Sequence, residues 1–176
     1  MLSEKIEQAL NAQVNAEWAS AYLYQAMHAW LLERNLDGFA AWMQSQVFEE
    51  MSHGMKIYNF IAERGGRVRL DAIECPVGDW ASPKALFEAV LAHERKVTSL
   101  INGLVDLAIE ERDHATNQFL QWFVEEQVEE ESTADGILQK LILAGEGNGI
   151  IMMDKDLSAR MFRIPPSLGL QVQVGP

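Results

Sequence analysis

Apolar residues recur along this chain in steps of three and four, the spacing of one face of an α-helix. The face is drawn four times over long segments. The first runs from a Ser3 cap to about Arg34 through Ile6, Leu10, Tyr24 and Leu31, with small Ser20 and Ala21 between. The second follows the turn Asn35-Leu36-Asp37-Gly38, carries Phe39, Met43, Val47, Ile57 and Phe60, and stops at Gly65-Gly66. Ser82-Pro83 opens the third, with Phe87, Val90, Val97, Ile101, Leu104 and Ala108. The fourth, after Glu110-Glu111-Arg112-Asp113, shows Leu120, Phe123, Ala134, Ile137 and Leu141. Glycines at 145, 147 and 149 break it. With no preceding strand and no following Lys-Ser/Thr they read as a hinge rather than a phosphate loop. A short amphipathic piece follows (Ile150, Met153, Leu157, Met161), then a Pro165-Pro166 tail.

Residues 67–81 have no periodicity and contain Pro76 and Gly78. Extended, they reach roughly 50 Å, whereas a helix of such length measures about 42 Å. The linker therefore spans the bundle, and the second and third helices can run parallel. The fold expected is all-α, a four-helix bundle with one long crossover and a short fifth C-terminal helix. It divides as 1–145 for the bundle, 146–163 for an assembly helix and 164–176 for a tail.

Each of the four apolar faces is interrupted near its middle by polar residues: Glu17; Glu50 and His53; Glu94; Gln127 and Glu130. Glu17 to Glu50 and Glu94 to Gln127 have the same separation, and His53 and Glu130 each lie three residues further on. The chain reads as two helical hairpins with ligand positions in register. Removing one ion from water costs several kcal/mol unless it is paired, so four converging carboxylates require cations or protons. Two divalent ions neutralise them, and one imidazole completes a mixed N/O shell suited to iron or manganese, with zinc less favoured. Tyr24, two turns after Glu17 on the same face, either bonds a ligating carboxylate, donates an electron or fills the core. Glu49, Glu126 and Glu129 flank the stripe and form a third, more open candidate site. Glu125 and Glu131 read as solvated, and His28, His93 and His114 as ordinary.

The 176 residues carry a formal charge of −12, which disfavours nucleic acid and anionic membranes as partners and favours cations. Cys75 is the single cysteine, so disulfides and thiolate metal sites are excluded. No signal peptide or apolar span is apparent, and a cytoplasmic location is expected.

Glu17, Tyr24, Glu49-Glu50-Met51-Ser52-His53, Glu94 and Glu126-Gln127-Val128-Glu129-Glu130 together resemble the bacterial non-haem type of ferritin. The Gln127/Glu130 half differs from the second Glu-x-x-His of bacterioferritins and rubrerythrins. The resemblance implies a homo-oligomeric shell of twenty-four subunits that oxidises Fe(II) with O₂ or H₂O₂ and stores the ferric mineral. It implies that Glu17, Glu50 and His53 hold one iron and Glu50, Glu94 and Glu130 the other. Gln127 then stands in the second layer or contacts the oxidant, and Glu49, Glu126, Glu129 and Glu130 make the third site. It further implies that the short C-terminal helix lines fourfold axes and that no haem binds at Met51. Asn117 and Leu120 stand where animal ferritins place acidic channel residues, so that route is not carried over. Two rivals share some of these features: a small di-iron oxidase or peroxidase without storage, and an acidic helical scaffold with no metal.

Overall fold

The computed structural model describes residues 2–145 and 147–158. Within them lie five helices, α1 (Glu4–Leu32), α2 (Asp37–Glu63), α3 (Pro83–Glu110), α4 (His114–Ala144) and α5 (Asn148–Leu157). The boundaries follow local chemistry. Ser3, Ser82 and Asp113 each accept a backbone N–H of the first turn, from Ile6, Ala85 and Thr116 respectively. Gly65 takes φ +73° past the end of α2, as the glycine pair requires. The first helix ends slightly before its expected stop, because Asn35 adopts φ 56° and turns the chain.

The core lies in two apolar clusters, and their membership fixes the helix directions. One joins the C-terminal half of α1 (Tyr24 to Leu31), the start of α2 (Phe39 to Val47), the start of α3 (Leu86 to Leu91) and the end of α4 (Ala134 to Leu141). The other joins the start of α1, the ends of α2 and α3, and the start of α4. Helices α2 and α3 are therefore parallel, and the α1–α2 and α3–α4 pairs antiparallel, as the linker length allowed. Every polar interruption falls in the layer between the clusters.

The crossover is pegged to α1. Asn11 donates to the Arg67 carbonyl and accepts from the Arg69 N–H; Asn15 repeats the pattern with the Arg69 carbonyl and the Asp71 N–H. These two amides supply the partners that an irregular backbone would otherwise lack.

Leu36 offers α2 no side-chain cap. The Asp154 carboxylate of α5 supplies one, accepting from the Phe39 N–H at 2.9 Å. A Cβ on residue 38 would fall 1.6 Å from the Asp154 carbonyl oxygen, so only glycine lets α5 approach there. Gly38→Ala should lift α5 from the bundle, removing a cap worth about 1 kcal/mol. The measurement is faster amide exchange over residues 148–157, with metal binding at the buried layer unchanged.

Of the two ways α5 could bury its stripe, on the bundle or against copies of itself, packing back on the bundle is used at least in part. Ile150, Met153 and Leu157 pack back against the bundle core and are partly buried. A short helix needs tertiary contacts, and the α2 and α4 ends provide them. The residues left exposed are Ile151 and Met152, with Ile142 and Leu143 nearby in sequence. Met161 and the 164–176 tail lie outside the described residues. Leu120 is fully buried in the second cluster, so it is a core residue and not a channel position. Among the described residues no helix is long and apolar enough to cross a membrane.

Candidate metal centre

Six polar side chains from four helices occupy the layer between the two apolar clusters. Glu17, Glu50, His53, Glu94, Gln127 and Glu130 are all buried, and Glu17, Glu50 and Glu94 are each 1% exposed. Helical steps of three and four aim each inward, while the apolar residues one turn either side exclude water.

Glu17, Glu50 and His53 are drawn together. His53 Nδ1 lies 3.6 Å from Glu50 Oε2 and 4.0 Å from Glu17 Oε2. One ligand atom from each of the three lies within 4.8 Å of the others, and they are the only such group among the described residues. The ring edges of Trp122 and Phe123 confine the imidazole. Glu50 Oε2 is buried without a hydrogen-bond donor. A buried acceptor left unmatched is a costly arrangement for a protein standing alone, and it is the donor set a divalent cation completes.

The other carboxylates face the same layer but are held by neutral donors. Glu94 accepts from the Tyr24 hydroxyl and from Gln127 Nε2 at 3.4 Å. Glu130 accepts from Gln46 Nε2 at 2.9 Å. Glu17 accepts from Gln13 Nε2 at 2.8 Å. Thus Glu94 and Glu130 do not join the close cluster, although they feel it electrostatically.

Burial is the main cause of the carboxyl shifts, and mutual repulsion adds to it. Glu17 is raised well above its ordinary value by burial and then by Glu50. Glu50 is pushed up to about 8 by burial, with Glu130, Glu49 and Glu126 contributing against a hydrogen bond from Glu17. Glu94 is pushed up to about 7 by burial, the Gln127 bond opposing and Glu17 and Glu131 reinforcing. The four acids therefore sense one another across the bundle.

The flanking set is looser. Glu49 and Glu126 are half-buried and Glu129 is exposed. Burial raises Glu126, with Glu129 and Glu49 adding and His53 and Lys56 opposing. The three are neighbours in charge but do not bring ligand atoms together as Glu17, Glu50 and His53 do. Met51 is exposed and lines an apolar hollow of about 460 Å³ with Trp18, Tyr22, Val47 and Ile73 on the α1–α2 face.

Two orienting amides stand outside the expected site set: Gln13, which lies on the inward stripe of the first helix, and Gln46. Gln13 precedes Glu17 by four residues and Gln46 precedes Glu50 by four. The hairpin register that aligned the acids would have flagged both. Thr98 and Glu131 carried no such signal. Glu131 is not simply solvated: it is partly buried and accepts from the Thr98 hydroxyl at 2.6 Å.

Residues 7–144 match the family described as ferritin-like domain. The chain belongs to the ferritin family. It is 43% identical over 160 residues to a bacterial non-heme ferritin of Bacteroides fragilis, covering 91% of this chain and 100% of that one. A bacterial non-heme ferritin of Staphylococcus epidermidis is 41% identical over 163 residues, covering 92% of this chain and 98% of its own. Among solved structures, the open pore ferritin of Archaeoglobus fulgidus superposes with a TM-score of 0.90 at 49% identity, over 92% of this chain and 99% of that one. An engineered closed form of the same archaeal ferritin gives 0.91 at 49% identity, over 93% and 100%. The bundle with its short fifth helix is thus the ferritin fold.

Proposed function

We propose that this ferritin stores iron by binding Fe(II) at the buried polar layer, oxidising it there and passing the ferric product into the interior of a multisubunit shell. Storage follows from family membership. The observation that carries the oxidation step is the buried Glu17–Glu50–His53 cluster with an unmatched Glu50 oxygen at its centre.

In this reading Glu17, Glu50 and His53 hold one iron and Glu50, Glu94 and Glu130 the second. Iron is substrate here. Each of two Fe(II) gives up one electron; with O₂ as acceptor, two electrons and two protons yield H₂O₂, and with H₂O₂ they yield two waters. The chain's own part is electrostatic and positional. Because burial holds protons on Glu50 and Glu94 near neutral pH, Fe(II) uptake displaces those protons, and the resulting carboxylates then favour the higher ferric charge. Gln13 and Gln46 fix the rotation of Glu17 and Glu130, while Tyr24 fixes Glu94. Gln127 is assigned to the second layer or to the oxidant. Glu49, Glu126, Glu129 and Glu130 serve as a third, transit site on the way inward.

The two half-sites can be separated by substitution. Glu17→Ala should abolish tight binding of about one Fe(II) per subunit in an anaerobic titration, and Glu94→Ala should weaken the other. Loss of both ions in either variant, or of neither, would refute the assignment of separate half-sites.

Shell formation is proposed on the family and on the exposed Ile142, Leu143, Ile151 and Met152, which are best covered by other subunits. Closed assembly of twenty-four copies predicts a native mass many times 19.8 kDa by light scattering. A monomer or dimer at micromolar concentration would instead favour a small di-iron oxidase without storage.

A further inference from the structure

A surface groove of about 340 Å³ runs along the α3–α4 seam, lined by Thr98, Ile101, Val124, Gln127, Val128 and Glu131. Gln127, a buried member of the polar layer, is among its lining residues. Across it runs a chain of hydrogen bonds whose donor directions are forced.

Glu131 Oε2 lies 3.8 Å from Arg95 Nε, and Oε1 accepts from the Thr98 hydroxyl at 2.6 Å. A carboxylate only accepts, and a hydroxyl has one proton to give. With that proton committed to Glu131, the Thr98 oxygen can only accept. Its other partner is Gln127 Nε2 at 3.3 Å. The same NH₂ group reaches the Glu94 carbonyl at 3.3 Å and Glu94 Oε2 at 3.4 Å. In a planar amide the oxygen is the opposite prong, turned away from Glu94. Were the amide reversed, its oxygen would face the Glu94 carbonyl and the Thr98 oxygen, neither with a proton to give, and the Glu94 side chain, which has none once it is a metal-binding carboxylate.

We infer that Thr98, braced by Glu131, is a positioning residue for iron oxidation: it adds the outer acceptor that locks the Gln127 amide with a donor, not a carbonyl, against Glu94. This rests on the reading of Glu94 as a metal-binding carboxylate. Two Glu94 oxygens already draw the Gln127 NH₂ prong, and the Thr98 oxygen is a third acceptor that holds it from further along α3. That orientation is reinforced one residue further out, by a hydroxyl whose own direction is set by a partly buried acid. The register of the sequence supports the geometry, since Thr98 lies one helical turn after Glu94 and Glu131 one residue after Glu130.

The test uses the assembled full-length protein and three variants: Thr98→Val, which keeps the shape and removes the hydroxyl; Thr98→Ser, which restores it; and Glu131→Gln. Gln at 131 can donate to the Thr98 oxygen, releasing the hydroxyl proton toward residue 127 and favouring the reversed amide. Anaerobic titration with Co(II) reads both affinity and the visible ligand-field spectrum, and stopped-flow mixing with Fe(II) and O₂ reads the initial rate. Thr98→Val and Glu131→Gln should each weaken one Co(II) site and slow oxidation about three- to tenfold, the worth of one net hydrogen bond, with an altered Co(II) spectrum. Thr98→Ser should match the parent in all three, which a mere packing role for the Thr98 methyl would not produce. If Thr98→Val is indistinguishable from the parent, or Thr98→Ser is no better than Thr98→Val, the inference is overturned. A parent protein that neither binds Co(II) nor oxidises Fe(II) overturns the proposed function itself, a different result from a fully active parent whose variants are silent.

Discussion

Glu50→Ala should slow the initial oxidation of Fe(II) by more than about a hundredfold, since even groups that merely orient a metal ligand are worth 10–100-fold. No other side chain in the layer combines the same features. Glu50 lies beside both Glu17 and His53, has one buried oxygen without a donor, and feels Glu130 from the opposite helix pair. In the proposed di-iron reading it is the carboxylate that the two metal positions share. Alanine leaves Glu17 and His53 in place but removes the group they share with Glu94 and Glu130. Stopped-flow mixing with sub-stoichiometric Fe(II) isolates this phase from slower growth of mineral. An unchanged initial rate would sink the di-iron assignment, whatever happened to total iron uptake.

The metal-free bundle should lose stability as pH rises from about 5 to 8, by several kcal/mol per subunit. The sign follows from linkage. In the unfolded chain Glu50 and Glu94 lose their protons near the ordinary value of 4.5, whereas in the fold they keep them up to about 8 and about 7. Between those limits the folded state binds more protons, so stability falls with pH at up to about 1.4 kcal/mol per group per pH unit. Below 4.5 both states are protonated and these groups contribute nothing; above 8 the penalty is fully developed. Replacing both by glutamine should flatten the curve, making the variant the more stable form at pH 8 and nearly equal at pH 5. Divalent metal should do the same by displacing the protons, so the melting-temperature gain on adding Co(II) grows with pH. Parallel curves for parent and double variant would show that the two acids do not repel each other or suffer from burial.

The sequence made the bundle readable because each long helix buries a wide apolar stripe whose steps repeat for seven or eight turns. Glu17, Glu50, His53, Glu94, Gln127 and Glu130 were conspicuous for the same reason: a charged residue is a strong anomaly in a stripe of Leu, Val and Phe. What the pattern could not carry was orientation. Nothing in the spacing says that Glu130 is met by Gln46 from α2 or that Thr98 turns its hydroxyl toward Glu131, because those depend on rotamers and on helix packing. The seat of α5 was hidden too. Its stripe was plain, but the contact of Ile150, Met153 and Leu157 with this bundle depends on Asp154 finding the uncapped start of α2. That contact spans residues 39 and 154, a separation no local pattern reaches.

The pegging of the crossover by Asn11 and Asn15 leaves residues 72–75 exposed beyond the last peg at Asp71. A single backbone cut there would part the protein into two helical hairpins, each keeping its own tight turn. Glu17, Glu50 and His53 would stay on one fragment; Glu94, Gln127 and Glu130 would stay on the other. One metal position would then belong to a single piece, while the second would exist only when both pieces meet. The two apolar clusters, each drawn from all four helices, would still hold the halves together, so the cut would separate the ligand sets covalently without dispersing them.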